Sequence, residues 1–287
     1  MKTYSTKMIT AEIMGGLGNQ LFQIFAVLAY SLQYQVPFYF EDKVIEHGPR
    51  KIQYFDDFLS SLKAYVRPPI YDQICYRESK FGYSMIPYFG ENTSVKLFGY
   101  FQSYLYVENY KERIFDIIGL DEQKQAMCSK LNERYDFQHT VSLHFRLGDY
   151  KQVPGYHTIL PLTYYSNALK ALIQKTQTEN WTILYFCEDE DMEYIWKTNI
   201  VVLQDMFPSF TFLKINSNFK DWEQVLIMSL CRHHIIANST FSWFGAYFNT
   251  KEDKLVYYPS LWFGPDAGQV ELQSLFPNKW IQISEMW

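Results

Sequence analysis

The sequence predicts an α/β protein of two lobes with a boundary near residue 135. Three observations carry that expectation. Residues 8–40 read as strand, glycine-rich turn, helix, strand; a second series of strands and helices begins at Thr140; and no solenoid-type repeat runs through the chain. The length of 287 residues fits two domains of ordinary size or one large one. With 48% hydrophobic and 20% charged residues, the chain is globular with ample material for a core.

The elements follow in order. Residues 8–14 form a first strand, residues 15–20 the glycine-rich turn, and residues 21–33 a helix with apolar residues at 21, 24, 25, 28 and 32. Residues 37–40 are the next short strand. The stretch 41–95 is irregular, broken by Pro68, Pro69 and Pro87, and residues 95–103 resemble another strand running into a turn. Residues 104–134 read as mostly helical. In the second lobe a strand at 141–146 leads through a Pro/Gly loop to a helix at 163–176. A strand at 181–187 ends in four acidic residues, 210–214 reads as a further strand, and 221–231 as a helix. A buried strand at 234–237, a helix at 239–248 and a last strand at 255–258 complete the pattern.

Composition excludes several function classes. A formal charge of −5 and the lack of a basic block argue against a nucleic-acid binder. The four cysteines, at 75, 128, 187 and 231, show neither CxxC spacing nor histidines at metal-ligand intervals. Cys187 and Cys231 sit in apolar runs as small core residues, which fits a reduced, cytoplasmic setting. Glycosylation sequons at Asn92, Asn180 and Asn238 are of the length that recurs by chance. Residues 13–40 contain no charge, yet glycines, glutamines, Asn19 and Ser31 interrupt them, so no continuous span of about 18 apolar residues survives. The expectation is a soluble protein without an integral membrane segment, peripheral attachment being left open. Aromatic residues make up 19% of the chain, with 24 Tyr and 23 Phe. Most will fill cores, but an apolar ring with a polar tip also suits sugar and nucleoside sites.

Four clusters carry candidate chemistry. In residues 141–150, Val141, Leu143 and Phe145 share one face and Ser142 and His144 the other, the alternation of a strand with one dry face. That strand delivers His144, Arg146 and Asp149 within six residues, at a Gly148-Asp149 turn. Arg146 has the planar fork that suits a diphosphate, while a solvated ion pair is the plainer reading. Gly15, Gly16 and Gly18 stand at a strand-to-helix junction, where backbone N–H groups approach a ligand closely, although a tight turn explains them equally. Asn238, Ser239, Thr240 and Ser242 offer an amide and three hydroxyls at a helix start, more than a single cap requires. The acidic run at residues 188–191 contains Asp189 and Asp191, a pair that a divalent metal could bridge or that an acidic first helical turn would favour.

Together the segments at 15–23, 144–150 and 235–246 resemble, in order and spacing, the α1,2-fucosyltransferases of glycosyltransferase family 11; residues 99–103 and 221–231 also look like segments of that family. The resemblance spans residues 12–260. Departures are Leu147 where a second adjacent arginine is common, Phe186-Cys187-Glu188-Asp189 for Phe-Ser-Asp-Asp, and Trp243-Phe244 for a Trp pair. The resemblance implies a GT-B architecture of two Rossmann-like lobes facing each other across a cleft. Residues 1–135 would form the acceptor lobe and 136–287 the lobe for the donor, GDP-β-L-fucose. The implied reaction is inverting transfer of fucose to the 2-hydroxyl of an acceptor sugar, a galactoside, with neither metal nor cofactor. His144, Arg146, Asp221, Asn238, Ser239, Thr240, Phe241 and Gly16 are the implied donor contacts. Arg146, Asp149 and Asn19 are the implied catalytic group, with Asp149 either orienting Arg146 or serving as base. Two alternatives remain at this point: a metal-dependent GT-A type transferase using Asp189 and Asp191, and a non-catalytic carbohydrate-binding protein.

Overall fold

The computed structural model describes residues 7–42, 53–90, 92–131 and 134–285. It divides into two compact units. One comprises Met1–Glu122 with Glu271–Pro277, the other Gln123–Val270 with Asn278–Trp287. The division lies at residues 122 and 123, earlier than the expected 135.

In the first unit, β1 (Ile9–Ala11) leads into α1 (Leu17–Tyr34), and the chain continues through β2 (Phe40–Glu41), β3 (Val66–Arg67), β4 (Ile74–Arg77) and β5 (Val95–Phe98). β1, β5 and β4 form a parallel sheet in that order. A parallel bridge between Ile9 and Phe38 lays the β2–β3 pair beside β1. The short strands within 53–90 have no period long enough to read from sequence; part of the expected irregular region, residues 43–52, lies outside the described residues.

Helix α1 begins four residues before the apolar period does. Gly16 caps it in an extended conformation, while Gly15 takes a φ of 76° that a side chain would resist. Two buried glutamines fix this turn. Gln20 Nε2 donates to the Gly15 carbonyl at 2.9 Å, and Gln23 accepts from Met14 N at 2.8 Å and donates to its carbonyl at 3.3 Å. From Leu17 to Tyr30 every residue of α1 is buried except Asn19. The helix ends at Gln35 with φ 54°, just ahead of Pro37. Helices α2 (Lys111–Ile118) and α3 (Leu120–Leu131) follow, separated by the left-handed Gly119. Most of α3 belongs to the second unit, because Lys130 pairs with the buried Glu223 and Lys124 donates to the Phe248 carbonyl at 3.1 Å. Those contacts move the division back from 135.

The second unit alternates β6 (Thr140–His144), α4 (Leu162–Thr176), β7 (Thr182–Phe186), α5 (Met192–Ile195), a π-helical turn (Trp196–Ile200), α6 (Val201–Met206) and β8 (Thr211–Lys214). It continues through α7 (Asp221–Leu230), β9 (His233–Ile235), α8 (Thr240–Tyr247), β10 (Val256–Pro259) and β11 (Ile281–Ile283). The six strands are parallel in the order β11-β10-β9-β6-β7-β8. From β6 the chain runs outward to β7 and β8, then returns to lay β9, β10 and β11 on the other side. Strands β6 and β9 therefore flank a topological switch point, the place where open α/β sheets bind ligands beyond their carboxyl ends.

The expectation of one dry face on β6 is corrected: all five of its residues are buried. Helices cover both faces of a parallel sheet, so a central strand meets no solvent. Its polar residues are tolerated because they are paired. Ser142 Oγ lies 2.8 Å from His234 Nδ1, and His144 Nδ1 lies 2.9 Å from Ser242 Oγ. The core joins Val141, Leu143 and Phe145 to Tyr164, Tyr165, Leu169 and Leu172 of α4 and to Ile183 and Tyr185 of β7. Strand β11 has no counterpart among the expected elements, since three residues carry no period. Among the described residues no helix is long and apolar enough to cross a membrane.

Candidate active site

The site in the second unit starts from the register of two strands. His144 of β6 pairs with Phe186 of β7, so Arg146 and Glu188 leave the sheet side by side, each two residues past its strand. Nη1 of Arg146 donates to Glu188 Oε1, Nη2 donates to Asp149 Oδ1, and the guanidinium lies 5.1 Å from the centre of the Tyr150 ring. Its side chain is 15% exposed. Two carboxylates and a ring thus hold the fork in one orientation, and its five N–H donors exceed the two spent on them. Glu188 is the member of this group that sequence reading missed, having been grouped with the acidic run.

A Tyr–Asn link joins this cluster to β9. Tyr150 is buried, and its hydroxyl donates to the Asn238 carbonyl at 2.8 Å. Burial pushes the phenol up to about 12, so it remains a donor across the physiological range. Asn238 points inward: its Nδ2 donates to the carbonyls of Thr158 at 2.8 Å and Trp262 at 3.1 Å, while its Oδ1 is buried without a partner among the described residues. His157, which no sequence pattern singles out, stacks on Tyr150 with centroids 4.2 Å apart and planes 10° from parallel. Burial holds its imidazole below the ordinary range, and its Nδ1 is also buried, with no partner among the described residues.

At the start of α8, Ser239 is the cap, its Oγ accepting from Phe241 N at 3.3 Å. Ser242 Oγ turns back to His144 and to Ala237 N at 3.2 Å. Phe241 lies 5.4 Å from the His144 ring, and Thr240 is half-buried at the first helical position. His144, Ser239 and Ser242 therefore do structural work as well as standing beyond the switch point. The N-terminal end of the α8 dipole supplies positive potential there.

The acidic pair is divided. Asp189 Oδ1 accepts from Lys214 at 2.7 Å and from Ser217 at 2.6 Å, whereas Asp191 is 2% exposed, pairs with Lys151 and accepts from Gly148 N at 2.7 Å. Asp191 thereby fixes the Gly148 turn under Asp149, at a φ of 39° that favours glycine. Among the described residues no group of three His, Cys, Asp or Glu side chains converges as a metal site would. Asp221 lies apart from this cluster, at the first turn of α7 beyond β8, accepting from Trp222 N at 2.7 Å.

The first unit has its own convergence, beyond β1 and β5. Asn19 Oδ1 accepts from Gln102 Nε2 at 2.9 Å, joining the glycine turn at Gly15 and Gly16 to the turn after β5. Glu78 shapes that second turn by accepting from Tyr100 N at 2.8 Å and Phe101 N at 3.1 Å. Gln102 stood in a segment singled out by resemblance, yet only the fold shows its partner.

Residues 71–284 match the family model described as Glycosyl transferase family 11. The chain belongs to glycosyl transferase family 11. Among relatives of this family-11 chain, the O-antigen biosynthesis glycosyltransferase WbnK of Escherichia coli is 32% identical over 196 residues, 65% of this chain and 60% of WbnK. An α-1,2-colitosyltransferase of Escherichia coli is 24% identical across 96% of this chain and 99% of its own length. Arabidopsis thaliana FUT1, solved in complex with GDP, is similar in fold, with a TM-score of 0.51 and 13% identity over 95% of this chain and 75% of that one. The family-11 chain has the GT-B fold of two Rossmann-like units. That fold, with Asp189 and Asp191 split between separate partners, corrects the GT-A alternative.

Proposed function

We propose that this family-11 chain transfers L-fucose from GDP-β-L-fucose to the 2-hydroxyl of a β-galactoside, forming an α1,2 linkage with inversion and without a metal. The observation that carries the reading is the preset fork of Arg146 beyond β6, beside the α8 N-terminus at the β6/β9 switch point. As the bond between C1 of fucose and the β-phosphate oxygen breaks, negative charge grows on GDP. Arg146 and the positive end of the α8 dipole need no reorganisation to meet it. The acceptor hydroxyl attacks from the opposite face and gives up its proton to a base. The ion pair between Asp149 and Arg146 supports Asp149 as the group that orients the fork. Membership of a transferase family favours an enzyme over a non-catalytic carbohydrate-binding protein.

The test is incubation of the purified chain with GDP-fucose and a panel of acceptors headed by methyl β-galactoside and lactose, with product linkage and anomer determined by NMR. An α1,2-fucosylated product is expected, and transfer is expected to persist in excess EDTA. Loss of activity that Mn²⁺ restores would overturn the metal-free reading. A second donor is favoured by the nearly full-length likeness to an α-1,2-colitosyltransferase. Colitose differs from fucose in lacking the 3-hydroxyl, so GDP-colitose belongs in the same assay, and preference for it would reassign the donor.

Asn19 is proposed to act on the acceptor side of the reaction. It is the one residue of α1 between Leu17 and Tyr30 that is not buried, and Gln102 orients its amide. Asn19→Ala is expected to lower turnover about tenfold while costing ~1 kcal/mol in stability for each hydrogen bond lost. Unchanged kinetics would leave the turn a purely structural one.

A further inference from the structure

The first unit carries a cavity of about 150 Å³ on the flank of α1, two helical turns beyond Asn19. Tyr30 and Gln33 of α1 form one wall, Tyr83 a second, and Tyr106, Asn109 and Tyr110, from the turns that follow β5, a third. Among the described residues no carboxylate, ammonium, guanidinium or imidazole lines it, so its chemistry selects neither an anion nor a cation. Nor is it wholly apolar, because four tyrosines, Gln33 and Asn109 line it beside Met85, Ile86 and two further aliphatic residues.

Its walls are held by their own hydrogen bonds. The Tyr106 hydroxyl accepts from Ser84 N at 3.1 Å, and the Tyr30 hydroxyl accepts from Phe89 N and donates to the Pro87 carbonyl, both at 3.3 Å. Ser274 Oγ accepts from Tyr83 N at 2.9 Å. The segment so tied lies between two left-handed glycines, Gly82 at φ 93° and Gly90 at φ 84°. Burial pushes the Tyr106 phenol up, which keeps this wall neutral. By contrast, the hydroxyls of Tyr83 and Tyr110 and the amides of Gln33 and Asn109 engage no protein partner among the described residues. Four aromatic faces, those of Tyr30 and Tyr106 fixed through their hydroxyls, therefore line the space, with donors and acceptors left over.

We propose that this cavity binds one neutral pyranose ring, a sugar of the acceptor glycan other than the one that is modified. The choice of ligand rests on the reading of the chain as a glycosyltransferase. A pyranose presents C–H groups to tyrosine faces and hydroxyls to amides and phenols, matching both halves of the lining. The cavity also follows on from the acceptor end. Ala26, in its wall, lies seven residues past Asn19, roughly 10 Å along the helix, and Leu105 and Tyr106 follow closely on Gln102. A glycan with its reacting sugar at Asn19 and Gln102 has a short path to it.

The test uses lacto-N-tetraose and methyl β-galactoside as probes of the full chain. Calorimetric binding of the tetrasaccharide without donor is expected to weaken about tenfold in a Tyr83→Ala/Asn109→Ala double variant and severalfold in Gln33→Ala, the cost of a lost stack and one or two hydrogen bonds. Transfer to the tetrasaccharide should fall in parallel, through KM, while transfer to methyl β-galactoside and thermal melting stay unchanged. Tetrasaccharide affinity equal to wild type in both variants, or no wild-type binding at millimolar concentration, overturns the site. Failure of the functional reading is distinguishable: no probe would then be fucosylated, while the binding arm would still report on the cavity.

Discussion

Arg146→Lys is expected to reduce transfer on the order of 10²–10³-fold, with Arg146→Ala at or beyond that range. Lysine keeps the charge but is a point donor. It cannot hold Glu188 and Asp149 with two fixed arms while presenting further N–H groups to a diphosphate. GDP affinity should fall as well, because the ground-state diphosphate shares the contact. Stability should change little in the lysine variant, since Asp149 is 43% and Glu188 34% exposed and both regain water when the fork is lost. Turnover, GDP binding and thermal melting on both variants check this. Near-normal transfer by Arg146→Lys would sink the catalytic role, and loss of folding would make the cluster a structural ion-pair network.

Asn238→Asp is expected to be the most destabilising single-atom change in the second unit. Its Nδ2 faces the carbonyls of Thr158 and Trp262, and a carboxylate oxygen there would meet two acceptors with no donor between them. An unpaired buried charge of this kind costs about 3–5 kcal/mol. The site would raise the folded-state pKa of the new carboxyl above its unfolded value. Its protonated form is therefore tolerated at acid pH, and stability is lost as pH rises through the folded pKa. Melting of the variant should thus approach wild type near pH 4 and fall away towards pH 7. Asn238→Ala should cost about 1–3 kcal/mol for each carbonyl left unpaired, at any pH. Both variants keep the Asn238 main-chain carbonyl that accepts from Tyr150, so transfer should fall only as far as the lost side-chain ties to Thr158 and Trp262 let that carbonyl shift. An aspartate variant as stable as wild type at pH 7 would show that this amide does not bridge the two loops.

Several site residues were legible because they follow strands whose apolar runs are strong. Arg146 and Asp149 come straight after the 141–145 alternation, and Asn238 and Ser239 straight after Ile235 and Ile236. The start of α1 was less legible, because Gly18, Asn19 and Gln20 carry no apolar period although they are helical. Glu188 was visible as a residue and invisible as a partner, since only the register of His144 with Phe186 sets it beside Arg146. The same holds for Gln102 and Asn19, 83 residues apart. His157 has no local signal: its place follows from stacking on Tyr150.

By itself the sequence determined the alternation of strands and helices, the glycine turn, and the family resemblance that the comparisons then established. These are local properties, fixed by hydrophobic period, backbone freedom and the order of short motifs. Only the tertiary structure decided the strand order β11-β10-β9-β6-β7-β8, and with it the switch point where Arg146 and the α8 N-terminus meet. It alone showed that β6 is buried on both faces, that Asp189 and Asp191 serve different ion pairs, and that residues 271–277 rejoin the first unit. The physical reason is common to all of these. Period and propensity act between neighbours along the chain, whereas strand order, burial and charge pairing depend on which distant segments the core brings together.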